Sequence, residues 1–331
     1  MDTMRERFTS VAAELLDEDP RLAVVLADIT AEAFEPARRR HPDRVINLGI
    51  REQLLISVAG GLALAGLRPI AHTFASFLIE RPFEQIKLDL NHQDVGAVLV
   101  SAGASFDEPG YGRTHQAPGD VALLGALPGW TVHVPGHPDE ADRLLREAAA
   151  GDGLVYLRLS AQSNAAALVT GGEGFAVLRT GTRGTVVAVG PLADAVIEAT
   201  RGMDVTILYA ATIRPFDRHA LRVTLGAADV VLVEPYLAGT SVPAVAEALA
   251  DIPHRVLGLG VGREELRRYG TPAEHQAAHG LDAASLRAAI GGFLGGESGA
   301  RVSQARANHA RASQARASRV RASRVRALSA E

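Results

Sequence analysis

Two stretches of the chain place ionisable side chains where packing alone would not ask for them. In "NLGIREQLL", Asn47–Leu55, Glu52 stands at the mouth of a run, Ile56–Leu67, built almost wholly from small or apolar residues. In "GYGRTHQAPGD", Gly110–Asp120, His115 sits in a loop bracketed by glycines. Between them "TFASF", Thr73–Phe77, supplies two of the chain's nine phenylalanines. Glu52 has two readings. As a helix cap, its charge near an N-terminus is worth roughly 0.3–1 kcal/mol. As a chemical group, a carboxylate in an apolar setting holds its proton more tightly and can share it with a ligand. A loop histidine suits proton transfer near neutral pH, and phenylalanines suit the face of a flat ring. Asp28, which ends "VVLAD", either caps a following helix or offers a ligand contact at a strand end.

The elements that must position these residues follow from periodicity. "RLAVVLADI", "RVINLG", "GAVLVSAG", "TVHVPG" and "LVYLRL" predict strands in the first half, and "GTVVAVG", "DVTILYA", "DVVLVEP" and "HRVLGLG" in the second. Most are continuous rather than alternating, as in strands covered on both faces. Helical patterns fall between them, among them "DEADRLLREAAA" and "VPAVAEALA". Alternation of this kind implies parallel sheets. The expected fold is α/β, two consecutive doubly wound domains with mainly parallel sheets. The boundary falls in the Gly-, Ser- and Thr-rich stretch Ser160–Gly184. The expected division is a first domain over 1–165, a linker over 166–183, a second domain over 184–292 and a low-complexity tail over 293–331.

Composition narrows the function. The chain has no cysteine, which excludes disulfides, thiolate metal sites and cysteine nucleophiles. Its apolar run Leu54–Leu67 is short of the ~20 residues that span a bilayer, so a buried core helix is expected and no membrane. The charged N-terminus "MDTMRERFTS" lacks the apolar core of a signal peptide, and a cytoplasmic location is expected. Net charge is −4, yet eight of the 34 basic residues and one of the 38 acids lie after residue 300. The first 300 residues therefore carry 26 basic and 37 acidic groups, a net of −11. An acidic body argues against nucleic acid. In the tail, arginine recurs every five residues from Arg301 to Arg326, a period that builds no apolar stripe, and a disordered basic tail is expected.

In order and spacing, "INLGIREQ", "HTFASF", "YGRTHQ", "LPGWTVHVPGHPDE", "DVTILYAATIRPFD", "VVLVEP" and "YGTPAEH" resemble the C-terminal half of the transketolase family, its pyrimidine-binding domain followed by its C-terminal domain. The resemblance runs from about Met4 to Ile290. It implies a thiamine-diphosphate-dependent transferase of two-carbon ketol units. In the family, a glutamate at the place of Glu52 hydrogen-bonds N1′ of the aminopyrimidine, and the 4′-nitrogen then removes the C2 proton, which is proton transfer helped by proximity. Phe74 and Phe77 match the walls of the pyrimidine ring, Asp28 an acid near the cofactor, and His115 a histidine that binds substrate and moves protons. Arg158 and Arg5 match arginines that grip the substrate's phosphate.

The family's diphosphate and metal motif, "GDG…N", is absent; "GDG" at Gly151–Gly153 reads as a helix-to-strand turn. The resemblance therefore implies a separate N-terminal transketolase subunit that carries the diphosphate and Mg2+ or Ca2+, in a dimer or heterotetramer acting on a small sugar or ketose. Three positions depart from the pattern. Tyr111 replaces an acid for the substrate hydroxyl, Glu32 a serine and Gly103 a histidine at the phosphate. These departures favour a smaller or less anionic donor. Two other readings share the features: the β-type subunit of a 2-oxoacid dehydrogenase, and a non-catalytic subunit.

Overall fold

The computed structural model describes residues 2–169, 174–265, 267 and 269–295. The calls on the tail from 296 onward lie outside the described residues. Strands β1 (Leu22–Leu26), β2 (Val45–Asn47), β3 (Arg68–Phe74), β4 (Val98–Ala102), β5 (Trp130–His133) and β6 (Leu154–Arg158) come from the first half. From the second come β7 (Ala176–Arg179), β8 (Thr185–Val189), β9 (Thr206–Ala210), β10 (Thr212–Arg214), β11 (Asp229–Leu237) and β12 (Arg255–Val261). The first sheet runs β10-β5-β6-β4-β3-β1-β2 and the second β12-β11-β8-β9-β7. All neighbours are parallel except β10 with β5 and β7 with β9. Strands β1, β4, β8 and β9 are buried at every position, which is why their sequences are continuously apolar.

Three strands had no clear sequence signal. Strand β3 begins "RP", and its Pro69 lies opposite Ala23 of β1; proline lacks the N–H of a ladder bond and normally argues against a central strand. Strand β7 falls within 166–183, so that stretch supplies an edge strand as well as a connection. Strand β10 has three residues and leaves its own half of the chain to pair with β5.

The two halves are joined through polar atoms as well. Glu140, fully buried, accepts hydrogen bonds from the backbone N–H of Gly136 (2.8 Å), Leu168 (2.7 Å) and Val169 (3.2 Å) and from the Tyr209 hydroxyl. Gly136 must be glycine: a Cβ there would sit 2.2 Å from Asn164 Nδ2 and 2.6 Å from the Tyr209 oxygen.

The helix that starts at Glu52, Glu52–Leu64, corrects one expectation. Leu55, Ile56, Ala59 and Gly60 are buried, but the opposite stripe Leu54, Ser57, Gly61 and Leu64 is exposed. Leu54 is 41% and Leu64 62% accessible, and Ile50, just before the helix, 69%. A Cβ on Gly60 would collide with Asp89 O at 2.5 Å, whereas Gly61 has nothing within 4 Å. The buried glycine admits the segment Ile86–His92; the exposed one has no neighbour that requires it. No helix of the described residues is long and apolar enough to cross a membrane.

Candidate functional site

Glu52 is the first residue of its helix and 2% accessible. Its setting differs from the apolar pocket expected for it, because Arg81 Nη1 donates to Oε2 at 2.6 Å. Among the described residues Oε1 carries no hydrogen bond. Arg81 comes from the segment after β3. There Ser76–Glu80 forms a π-helical turn, and the Arg81 N–H donates to Ser76 O at 3.2 Å. Such turns insert one residue and occur mostly at functional sites. The Arg81 guanidinium lies 4.0 Å from the centroid of the Phe77 ring, a cation–π contact.

Phe77 continues the cluster. Its ring meets Phe74 at 6.2 Å and His115 at 4.9 Å, both edge to face, and Phe74 meets His115 at 5.3 Å. Tyr111 packs on the other side of His115 at 4.6 Å and is largely exposed. Glu52, Arg81, Phe77, Phe74, His115 and Tyr111 thus form one chain of contacts. Gly103, φ +66°, makes room for it: a Cβ would lie 2.8 Å from Phe74 Cδ1. The glycine where a histidine was expected is therefore a packing requirement. Partial burial pushes the His115 imidazole below its ordinary range; Glu108 opposes this and Arg81 adds to it. Its Nδ1 lies 3.0 Å from Thr114 Oγ1.

The second half closes over this loop. Gly112, φ +71°, lets Tyr269 lie against the backbone, where a Cβ would meet the ring at 2.9 Å. Arg113 pairs with Glu265 at 3.4 Å.

Arg158 is corrected. It is 1% accessible, and its guanidinium is used internally: Nε donates to Asp120 Oδ2 at 2.7 Å and Nη2 to Ser105 Oγ at 2.6 Å. Tyr156 donates to the same Asp120 oxygen at 2.8 Å, and Ser105 Oγ donates to Pro235 O. An arginine so engaged is a strut beneath the loop rather than a grip on a substrate.

Asp28 lies just past β1 with φ +70°, and Thr30, φ +66°, follows. A β-branched residue with positive φ is a strained exception, and such strain gathers where surroundings fix it, often at functional sites. Asn47 organises this edge: its Oδ1 accepts from the N–H of Asp28 (3.0 Å) and Gly49 (3.1 Å), and its Nδ2 donates to Asp28 Oδ1 at 3.2 Å. His72 holds Thr30. Its Nδ1 lies 2.8 Å from Val100 O and so carries the proton, leaving Nε2 to accept from Thr30 Oγ1 at 3.0 Å. Burial pulls His72 down to about 4. Arg5 is exposed on the first helix, Met4–Glu18, and makes no ion pair among the described residues; its charge adds to the depression of His72. Glu32 lines a cleft of about 530 Å3 with Glu35, Arg38 and Asn47. That cleft includes neither Glu52 nor the aromatic cluster, and its lining holds no group able to exchange a proton near neutrality. The chemistry resides at Glu52 and His115. Among the described residues, no group of three acids or histidines is arranged to hold a metal ion.

Sequence reasoning missed Arg81, Asn47 and Asp120. Arg81 stands four residues after Phe77, a spacing that brings side chains together on one helical face. Nothing local signals the pairing of Asp120 with Arg158.

Two α/β sheets, with an acid and aromatic rings gathered at the carboxyl edge of the first, make the chain one of the proteins that build a cofactor site at a strand edge. The family described as "Transketolase, pyrimidine binding domain" matches residues 2–165. One of the two subunits of an apulose-4-phosphate transketolase from Actinobacillus succinogenes is 30% identical over 300 residues, covering 86% of this chain and 94% of that protein. An uncharacterized 33.6 kDa protein in the fasciation locus of Rhodococcoides fascians is 56% identical over 292 residues, covering 87% and 94%. A solved chain described as a split gene transketolase, inactive beta4 tetramer, superposes with a TM-score of 0.78 at 28% identity, covering 90% of this chain and all of that one. The chain belongs to the transketolase family.

Proposed function

We propose that the chain is the pyrimidine-side subunit of a split, thiamine-diphosphate-dependent transketolase. The contacts that run from Glu52 to His115 carry this reading. The residues suit the cofactor. A buried carboxylate with Oε1 uncommitted matches a ring N–H donor, and Phe74, seated on Gly103, and Phe77 offer apolar ring faces. Thiamine diphosphate supplies a carbon acid whose conjugate base adds to a ketose carbonyl. Glu52 holds the pyrimidine nitrogen and keeps a proton on it. His115, uncharged at neutral pH because burial depresses it, accepts or returns a proton at the substrate. Asp28, at the strained end of β1, faces the same edge of the sheet.

A separate N-terminal subunit supplies the diphosphate site and its Mg2+ or Ca2+. The exposed stripe Leu54–Leu64 on the helix that carries Glu52 supports such a neighbour, since an apolar helix face left to water marks an interface. The Actinobacillus succinogenes transketolase subunit and the split gene transketolase support it too. With Arg158 withdrawn into the core, Arg5 is the remaining arginine candidate for a substrate anion, and Tyr111 adds bulk at the mouth. The donor is accordingly a small or weakly anionic ketose. In the reconstituted complex, Glu52→Gln should leave folding intact and slow hydrogen–deuterium exchange at C2 of thiamine diphosphate by at least tenfold, within the usual range for losing a proton-transfer partner. NMR of the C2 proton measures this; unchanged exchange would remove Glu52 from the mechanism.

A further inference from the structure

We propose that Arg81 is a positioning residue, which fixes the Glu52 carboxylate by its ion pair so that Oε1 is left for the cofactor. The inference rests on the reading of Glu52 given above. A glutamate at the first position of a helix has three side-chain torsions, and its two oxygens are equivalent until something distinguishes them. Arg81 does so, with Nη1 on Oε2 at 2.6 Å. The guanidinium is itself held. Its plane is anchored over Phe77 at 4.0 Å, and its backbone N–H is tied to Ser76 O by the π-helical turn. One short segment therefore sets both an apolar ring face and the orientation of the acid beside it.

The arginine is not there to satisfy its own burial. Its side chain is 37% accessible, while that of Glu52 is 2%. The charge serves the acid, because an isolated carboxylate in so dry a place is costly unless paired. The same charge acts on His115 in the opposite sense, opposing its protonation. An ionised Glu52 and a neutral His115 are thus favoured together by one group.

A double-mutant cycle tests the proposal in the complex of this chain with a subunit that carries the diphosphate-binding half. The readouts are C2 exchange at saturating thiamine diphosphate and, separately, cofactor affinity by calorimetry. Arg81→Met should slow exchange about tenfold, the middle of the range for coupling between contacting residues. In the Glu52→Gln background it should slow exchange less than twofold further, because Arg81 acts through Glu52. Arg81→Lys, which restores a cation, should recover part of the loss. Should Arg81→Met fail to assemble, Arg81→Gln, planar and uncharged, carries the same expectation. Exchange unchanged by Arg81→Met, or slowed equally in both backgrounds, would overturn the proposal and leave Glu52 in place. A wild-type complex that binds thiamine diphosphate without accelerating exchange would overturn the reading of Glu52 itself, and this proposal with it.

Discussion

At the edge of the first sheet Glu52 has one oxygen on Arg81 and the other without a hydrogen bond, while in the second sheet Glu234 of β11 has both oxygens closed over by its own loop. Oε2 of Glu234 accepts from the Gly239 N–H at 3.1 Å and Oε1 from the Ser241 N–H at 3.0 Å, and the residue is fully buried. Burial pushes its carboxyl up to about 7 against these hydrogen bonds. Both halves thus bring an acid to the end of a parallel sheet. In the first, a cation, two phenylalanines and a histidine leave the acid a use; in the second, the backbone consumes it. The comparison teaches that a buried acid becomes chemistry only where its second oxygen is spared.

The comparison breaks first at Arg158. If that residue is a strut, Arg158→Ala or Asp120→Ala should cost about 3–5 kcal/mol, as expected when one partner of a buried pair is removed, read from chemical denaturation. A substrate grip would instead leave stability unchanged and raise KM. Next comes pH. Glu234 titrates near 7 when folded and near 4.5 when not, so the folded state binds its proton more tightly. Its contribution is fully present below pH 4.5 and is lost as pH rises through 7, on the order of 3 kcal/mol. Denaturation at pH 4.5 and 7.5 should show this loss in the wild type and a flatter profile in Glu234→Gln. The smallest effect on folding is expected at Leu64. Leu64→Glu should shift stability by less than ~0.5 kcal/mol yet weaken association, seen by sedimentation, because the stripe has no covering element in this chain. The second half leaves its apolar residues singly instead, as at Ile197 and Val223.

Much of this was legible in the sequence, for physical reasons that also explain the gaps. Nine strands announced themselves because burial on both faces demands continuous β-branched residues. Strand β3 did not, since Arg68, Pro69 and His72 interrupt that pattern; Arg68 and His72 are each satisfied by partners far along the chain, Arg68 by the carbonyls of Ala148 and Gly153 and His72 by that of Val100. The resemblance marked Glu52, Phe74, Phe77 and His115, and the structure joins them through Arg81 and the stacked rings. It did not reveal that Arg81 pairs with an acid 29 residues earlier, or that Arg158 is taken by an aspartate 38 residues earlier. Exposure was misjudged on the helix Glu52–Leu64, because a uniformly apolar sequence does not say whether its own chain or another covers it.

Strand β10 carries a mechanical consequence. One residue, Ala211, separates it from β9, so the chain steps directly from the second sheet into the first, and the Val134 N–H is bonded to the Ala211 carbonyl at 2.7 Å at the crossing. Tension applied between the two halves would load β9 and β10 in series, and neither sheet could open without drawing on the other. A chain cut between β6 and β7 would then be expected to hold together, its pieces melting in a single calorimetric transition.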